Sequence, residues 1–317
     1  MAVREGLVAL VIALPFGIGL ASAEAGETPR PAFSFTDPAV VESSGLAVVD
    51  GLVVTVNDSG DEARVFAVDP ATGDTVGVTR WQAEATDIEA LAPGGDGTVW
   101  VGDIGDNTAS RDTVTVTRVP VGRGDQTVDA TTYELRYPDG AADAEALLAH
   151  PTTGRLHVVT KGVFGASVYA APTDLSDDSV NRLRPVGEAM PIVTDGAFLP
   201  DGEHVVLRDY GRAVVYDFPS FEAVDEVTLP AQQQGEGLAA SGDTRVLVSS
   251  EGQRSPVYEV TLPGLDEEPT ATPSLRSREG EELPQDPSGD RDPTQWLLGV
   301  GLGVVALVVL VRALRPR

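Results

Sequence analysis

The chain lacks several residue types on which common functions depend. None of its 317 residues is a cysteine, which excludes disulfide bonds and thiolate chemistry. Basic residues are scarce, since 22 Lys and Arg stand against 49 Asp and Glu, and Lys161 is the only lysine. The formal net charge of −27 argues against nucleic acid as a partner and suits cations or basic partners instead.

Familiar catalytic motifs are also missing. The chain contains no GxSxG nucleophile motif, no HExxH zinc motif and no P-loop. Its three histidines, His150, His157 and His204, do not have the spacing of metal ligands. These absences leave the acidic residues as the main candidates for chemistry.

What the chain does contain is a long apolar run at each end. Arg4, an apolar stretch and Ala21-Ser22-Ala23 predict a secretory signal peptide over residues 1–23, with an uncleaved anchor as the alternative. Residues 296–311 carry no charge and predict a transmembrane helix. The arginines of residues 312–317 predict a cytoplasmic tail. The body of the protein is therefore expected outside the cell, at the cell membrane.

Residues 264–295 are rich in Pro, Glu, Asp and Ser and contain no aromatic residue, which predicts a disordered stalk. The stalk would connect the extracellular body to a single-pass membrane anchor. Within the anchor, Gly299 and Gly303 form a GxxxG motif that could support a weak dimer.

The region between the two ends contains a repeat. An acidic residue followed by small residues and then Leu or Phe recurs five times, with Leu46, Leu91, Leu147, Phe198 and Leu238 as the apolar landmarks. Successive landmarks are 45, 56, 51 and 40 residues apart. These periods are typical of the blades of a β-propeller.

Valine-rich runs bounded by Gly, Asp and Pro follow each landmark and predict the other strands of each blade. The fifth repeat lacks a fourth run, while residues 31–37 form an extra strand ahead of the first repeat. The sequence thus predicts an all-β fold, a five-bladed propeller over residues 31–263 that is closed by its N-terminal strand. A sixth blade within the longer second repeat remains an alternative.

The repeat predicts where the acidic residues lie. The first strand of each propeller blade lines the central channel, so the repeat predicts a ring of Glu42, Glu89, Glu145, Asp195 and Glu236. Asp87 and Asp143 precede two members of this ring, and Asp58 and Asp103 end second strands nearby. Carboxylates that converge in a narrow channel raise each other's pKa or bind a hard cation, for which calcium is the natural candidate. The blander alternative is that the ring only holds the blades together.

The blade starts also resemble a known family. TDIEAL at residues 86–91, ADAEAL at residues 142–147 and GEGLA at residues 235–239 resemble those of the β-propeller phytases. The chain is similar to the broader group of exported bacterial phytase-like and esterase-like propellers. This resemblance implies calcium sites near the channel, at the positions of Asp87, Glu89, Asp143, Glu145 and Glu236.

Two functions remain open from the sequence. The first is an extracellular module that binds a small molecule or a protein and has an acidic, calcium-binding channel. The second is a calcium-dependent hydrolase, either a phytase-like phosphoesterase or an esterase. For the hydrolase the catalytic candidates are Glu89, Glu145 and Lys161; Lys161 could equally bind an anion or form a buried ion pair.

Overall fold

The computed structural model describes residues 30–58 and 60–265. Within these residues the chain forms β-strands and no helix, so none of its described part has a helix that could cross a membrane. The predicted signal peptide, the membrane span, the cytoplasmic tail and nearly all of the stalk lie outside the described residues.

The strands, numbered along the chain, form five sheets that are the blades of a propeller. The short strand β1 is Phe33–Ser34. Blade 1 contains β2 (Ser43–Val49), β3 (Leu52–Asn57), β4 (Arg64–Asp69), β5 (Asp74–Trp81) and, from later in the chain, β9 (Gln126–Val128). Blade 2 contains β6 (Ile88–Gly95), β7 (Thr98–Asp103), β8 (Val114–Pro120), β10 (Thr132–Arg136) and β14 (Asn181–Arg182).

The remaining three blades follow in chain order. Blade 3 contains β11 (Ala144–Ala149), β12 (Leu156–Thr160), β13 (Ala166–Ala170) and β15 (Arg184–Ala189). Blade 4 contains β16 (Asp195–Phe198), β17 (His204–Arg208), β18 (Arg212–Asp217) and β19 (Glu222–Thr228). Blade 5 contains β20 (Gly235–Gly242), β21 (Arg245–Ser250) and β22 (Pro256–Thr261), with β1 as its outer strand.

The closure predicted from the sequence is confirmed. Strand β1 pairs antiparallel with β22, with Phe33 opposite Val257, so the N-terminal strand completes the last blade. The extra residues of the second repeat form no sixth blade. They supply β9, which pairs parallel with β5 at the outer edge of blade 1. All five blades and their closure therefore lie within residues 30–265, which form one compact unit.

Apolar packing between neighbouring blades explains the valine-rich strands. Each of the five buried apolar clusters lies between two adjacent blades, so the middle strands are covered on both faces. Strand β3, for example, is buried at all six of its positions. A strand that is buried on both faces needs a continuous apolar run rather than an alternating one.

The innermost strands of the blades, β2, β6, β11, β16 and β20, surround the central channel and contact one another. All five begin at the same end of the channel, where the second strands of their blades finish. Near that end β2, β6, β11 and β20 each contain a register shift. Such bulges re-aim side chains, and here they lie at Glu89, Glu145 and Glu236 and, in β2, at Ser44.

Candidate functional site

The channel end at which the innermost strands begin is called here the acidic mouth. Equivalent positions of the five strands carry Ser44, Glu89, Glu145, Asp195 and Glu236, and all five residues are buried. The ring predicted from the sequence is wrong at one member, because Ser44 takes the place assigned to Glu42.

Glu42 is exposed and lies two positions nearer solvent, where its backbone forms a β-bridge with Glu251. The Glu42 carbonyl accepts a hydrogen bond from Asp58 N–H, as the Asp143 carbonyl does from Lys161 N–H. Glu42 is therefore equivalent to Asp143 rather than to the ring. The spacing in the sequence distinguishes the two positions. Glu89 and Glu145 stand two residues before a landmark Leu, whereas Glu42 stands four before Leu46.

Three carboxylates converge at the junction of blades 1 and 2. One carboxylate oxygen from each of Asp58, Asp87 and Glu89 lies within 4.8 Å of the other two. Asp58 directly follows β3, and Asp87 and Glu89 stand at the start of β6. Calcium binds oxygen ligands at about 2.3–2.6 Å, so one ion can bridge oxygens that are this far apart. We call these three residues the carboxylate cluster.

The surroundings of the cluster disfavour ionised carboxylates. Burial, together with the charges of Glu145, Asp58 and Asp87, raises the pKa of Glu89 to about 10. Burial and the charges of Asp58 and Asp143 likewise raise the pKa of Asp87. Either bound protons or a cation must therefore compensate the negative charge at neutral pH.

Asp103, the other predicted candidate on blade 2, positions the cluster instead of joining it. Its carboxylate accepts hydrogen bonds from the backbone N–H groups of Thr86 at 2.8 Å and Asp87 at 3.1 Å. Arg111 forms an ion pair with the same carboxylate at 2.7 Å. Gly105 allows its loop to approach, because a Cβ there would collide with the Asp87 carboxylate. These contacts fix the strand segment that carries Asp87.

Blade 3 adds two predicted residues beside the cluster. Asp143 accepts a hydrogen bond from the backbone N–H of Asp106 at 2.8 Å, which links it to the loop after β7. Glu145 forms an ion pair with Lys161 at 2.9 Å. Burial raises the pKa of Glu145 to about 8, although Lys161 opposes the shift. The buried ion pair that the sequence left as one alternative for Lys161 is thus present.

Blade 5 contributes a carboxylate oxygen without a hydrogen bond. Among the described residues, the buried Oε2 of Glu236 has no hydrogen-bond partner. Burial raises the pKa of Glu236, while the charge of Lys161, a contact of its carboxylate with Gln234 and the charge of Arg208 lower it. An unpaired buried acceptor is costly, so this oxygen is suited to a proton or a bound ligand.

Arg208, at the end of β17, contacts the blade 5 side of the acidic mouth through hydrogen bonds. Its guanidinium is fully buried and donates to the carbonyls of Gly237 at 3.0 Å and Ser249 at 3.1 Å, and to Gln232 Oε1 at 3.0 Å. Burial lowers the pKa of Arg208 to about 10, while nearby Glu236 opposes the shift. Arg208 therefore remains a cation at neutral pH and partly offsets the charge of the mouth.

Asp195 links three blades. Its carboxylate accepts backbone hydrogen bonds from Leu238 at 2.7 Å, Gly196 at 2.8 Å and Leu46 at 3.3 Å. These donors belong to blades 5, 4 and 1, so the side chain reaches across the channel. Burial raises the pKa of Asp195 well above its ordinary value, while the backbone donors lower it. A metal contact for this residue stays a prediction.

Ser44 was missed by sequence reasoning, and it contacts the cluster directly. Its hydroxyl lies 3.0 Å from the Glu89 carboxylate and 2.9 Å from the Glu89 carbonyl. The hydroxyl thereby orients the most strongly buried member of the carboxylate cluster. A Ser in place of an acid also removes one negative charge from the ring.

The opposite end of the channel is apolar. A cavity of about 350 Å³ opens there, called here the apolar cavity. Every blade contributes to its wall, with Leu46, Leu91, Leu147, Ala197 and Ala239 among the lining residues. The same five strands therefore present carboxylates at one end of the channel and aliphatic side chains at the other.

Comparisons with known proteins found similar solved structures but no related sequence family. No protein-family model matches the chain, and no curated protein matches it. Among solved structures, it is similar to the PQQ-bound aldose sugar dehydrogenase from Streptomyces coelicolor, with 12% identity over 73% of this chain and 96% of that one and a TM-score of 0.43. It is also similar to a gluconolactonase from Xanthomonas campestris, with 13% identity over 74% of this chain and 89% of that one and a TM-score of 0.44. At these values neither neighbour carries an argument about the chemistry of the acidic mouth.

Proposed function

We propose that this propeller is a calcium-binding ligand receptor whose ion is held by Asp58, Asp87 and Glu89. The observation that carries the proposal is the convergence of three carboxylate oxygens within 4.8 Å. Glu236 Oε2 supports it from another blade, because this buried oxygen has no hydrogen-bond partner among the described residues. Oxygen ligands without nitrogen or sulfur suit a hard cation such as calcium.

The proposed centre leaves room for a ligand. Calcium takes about six to eight oxygen ligands, and three carboxylates do not supply that number unless all bind through both oxygens. The remaining positions fall to water or to oxygens of a bound molecule. The acidic mouth is therefore proposed as the place where an extracellular small molecule or a segment of another protein binds.

Calorimetric titration of residues 30–265 with calcium chloride tests the centre. We expect one ion per chain, and we expect Asp87→Asn to weaken binding by about 10- to 100-fold because a charged ligand is lost. Asp96→Asn is the matched control, since Asp96 is exposed in the hairpin at the other end of the same blade. Equal affinities of the two variants would exclude the carboxylate cluster as the site.

We further propose that the propeller is displayed on the outside of the cell membrane, as the apolar runs at residues 1–23 and 296–311 indicate. Protease added to intact cells should then release the propeller by cleavage in the stalk. A propeller that becomes sensitive only after cell lysis would contradict this placement. Dimerisation through Gly299 and Gly303 stays a prediction.

A second candidate function, calcium-dependent hydrolysis, is favoured by the Glu145–Lys161 pair. A carboxyl group with a pKa raised to about 8 can exchange a proton near neutral pH, as a general acid or base must. Bound calcium would polarise a phosphoryl or acyl oxygen. The resemblance of the blade starts to β-propeller phytases points the same way.

A panel of phosphate and carboxyl esters, assayed with calcium, separates the two candidates. For a hydrolase, Glu145→Gln should abolish turnover while calcium still binds to the cluster. Absence of turnover across the panel by the calcium-loaded wild type would remove the hydrolase and leave the receptor.

A further inference from the structure

Large apolar side chains are exposed beside the acidic mouth. Val163 is 72% exposed and Phe164 is fully exposed, and both lie in the loop between β12 and β13. Ile192 precedes β16 and is 38% exposed, and Tyr210 follows β17 and is 42% exposed. All three loops belong to blades 3 and 4 and lie at the channel end that carries the carboxylates. We call these four residues the apolar rim.

The backbone holds the rim in this exposed arrangement. A Cβ at Gly162 would collide with the Gly165 carbonyl, so this tight turn, which turns Phe164 outward, requires glycine. The N–H of Ile192 donates to the Gly162 carbonyl at 2.9 Å and joins two of the loops. Ile192 itself has a φ of 59°, a left-handed conformation that is strained for a β-branched residue. Strained residues of this kind cluster at binding sites.

Lys161 connects the rim to the carboxylates. It begins the loop that carries Phe164, pairs with Glu145 at 2.9 Å, and lies 5.6 Å from the centre of the Tyr210 ring. An ammonium group has three N–H donors. Glu145 accepts one of them at 2.9 Å, which leaves donors for a bound oxygen. A cation donor and an apolar surface therefore lie side by side.

We propose that the acidic mouth recognises an oxyanion, such as a phosphate, phosphonate or carboxylate, that carries an apolar or aromatic group. Its oxygens complete the coordination of calcium and accept from Lys161, and its apolar group packs on Val163, Phe164 and Ile192. This assignment rests on the proposed calcium centre. Without the ion, the surrounding carboxylates repel an anion, so binding depends on calcium.

Phenylphosphonate and methylphosphonate are the probes, because they share one anionic group, differ in apolar size and resist hydrolysis. Calorimetry on calcium-loaded residues 30–265 should show phenylphosphonate binding about tenfold or more tighter, through burial of the ring. Phe164→Ser should remove this preference. Val224→Ser should retain it, because Val224 is equally apolar and 48% exposed, but lies on β19 away from the mouth.

Calcium titrated alone into the same variants separates this inference from the proposed function. Phe164→Ser should bind calcium as the wild type does. A wild type that takes up calcium but shows no preference for the phenyl group overturns the inference and leaves the calcium centre intact. A wild type that takes up no calcium overturns both.

Sedimentation with neutral phosphatidylcholine vesicles tests whether the apolar rim binds a membrane instead, since exposed apolar loops can also enter a bilayer. Residues 30–265 should remain in the supernatant when the vesicles are sedimented. Sedimentation of the wild type that Phe164→Ser abolishes would assign the rim to a membrane surface and overturn the oxyanion proposal.

Discussion

The two ends of the central channel are built by the same five strands but differ in what they need to be stable. At the acidic mouth, Glu89, Glu145 and Glu236 are buried with raised pKa values, and a proton or a cation has to compensate them. A few residues further along, Leu91 and Leu147 line the apolar cavity and are stabilised by burial alone. Asp195 belongs to the ring at the acidic mouth, but its carboxylate accepts hydrogen bonds from the backbone of Leu46 and Leu238 and so joins the two ends.

Because of this difference, we expect the apolar end to determine mainly the free energy of unfolding and the acidic mouth to determine mainly calcium binding. Changes at the apolar end should alter the free energy of unfolding by the same amount with and without calcium. Changes at the other residues of the acidic mouth should alter the response to calcium and pH more than the stability. Asp195 is the exception, because its hydrogen bonds join the two ends.

Asp195→Ala should have the largest effect. It leaves three buried backbone N–H groups without an acceptor, and each such group costs about 1–3 kcal/mol. We expect a loss of about 3–5 kcal/mol in the free energy of unfolding, measured by chemical denaturation. Asp195→Asn keeps an acceptor oxygen and should cost much less. A loss below about 1 kcal/mol for Asp195→Ala would show that the three hydrogen bonds are unimportant.

Leu147→Ala should come next. Leu147 is fully buried between blades 2 and 3 and also lines the apolar cavity. Its truncation should lower the free energy of unfolding by about 2–4 kcal/mol, as for other buried Leu→Ala changes. The calcium affinity of the folded variant, measured by titration, should equal that of the wild type. A weakened calcium affinity would mean that the two channel ends are coupled.

These residues also show how far the sequence could predict the structure. The five blades and their closure were predictable, because each blade needs valine-rich strands and the last one lacks a fourth. Glu89, Glu145 and Glu236 were predictable because each stands two residues before a landmark Leu. Glu42 was misplaced because the alignment matched residue type and overlooked spacing, since Glu42 stands four residues before Leu46 rather than two.

Other features depend on tertiary packing and could not be predicted. Asp58 meets Asp87 and Glu89 only because blade 1 packs against blade 2, so the cluster has no local sequence signature. Phe164 resembles a core residue in the sequence, yet a glycine-flanked turn places it in solvent. The apolar cavity is the space that five strands leave between them, and no single segment encodes it.

Asp103→Asn should have a moderate effect that is confined to the acidic mouth. The amide keeps one acceptor for the Thr86 and Asp87 N–H groups but loses the charge that pairs with Arg111. We expect calcium to bind about tenfold more weakly, as is typical when a group that orients a metal ligand is changed. Asp50→Asn is a matched control, because Asp50 is exposed in the β2–β3 turn. Unchanged calcium affinity in Asp103→Asn would refute a positioning role.

The last prediction concerns the pH dependence of the metal-free protein between pH 6.5 and 8. In the folded state the pKa values of Glu251, Glu145 and Glu89 are about 7, about 8 and about 10, against about 4.5 when unfolded. The folded chain then binds more protons than the unfolded chain, so stability falls as pH rises through this window. Burial lowers the pKa of His157 to about 4, so His157 is neutral in the folded state; its pKa of about 6.5 in the unfolded state opposes the slope only near pH 6.5.

In EDTA we therefore expect the melting temperature to fall by several degrees across this window, because each kcal/mol of lost stability lowers it by about 2–4 °C in a domain of this size. Calcium should remove most of the slope, because the ion replaces the protons. A melting temperature that rises with pH in EDTA would contradict the raised pKa values.

The most direct test of the central claim is the number of protons released when calcium binds. Residues 30–265 are titrated with calcium at pH 6.5 in buffers of different ionisation enthalpy. Because burial and neighbouring carboxylates raise the pKa values of Glu89 and Asp87, calcium must displace protons, and we expect about one or more per ion. Glu89→Gln, which has no proton to lose at that position, should release fewer. Calcium binding without proton release, or equal release by Glu89→Gln, would contradict a calcium centre at the carboxylate cluster.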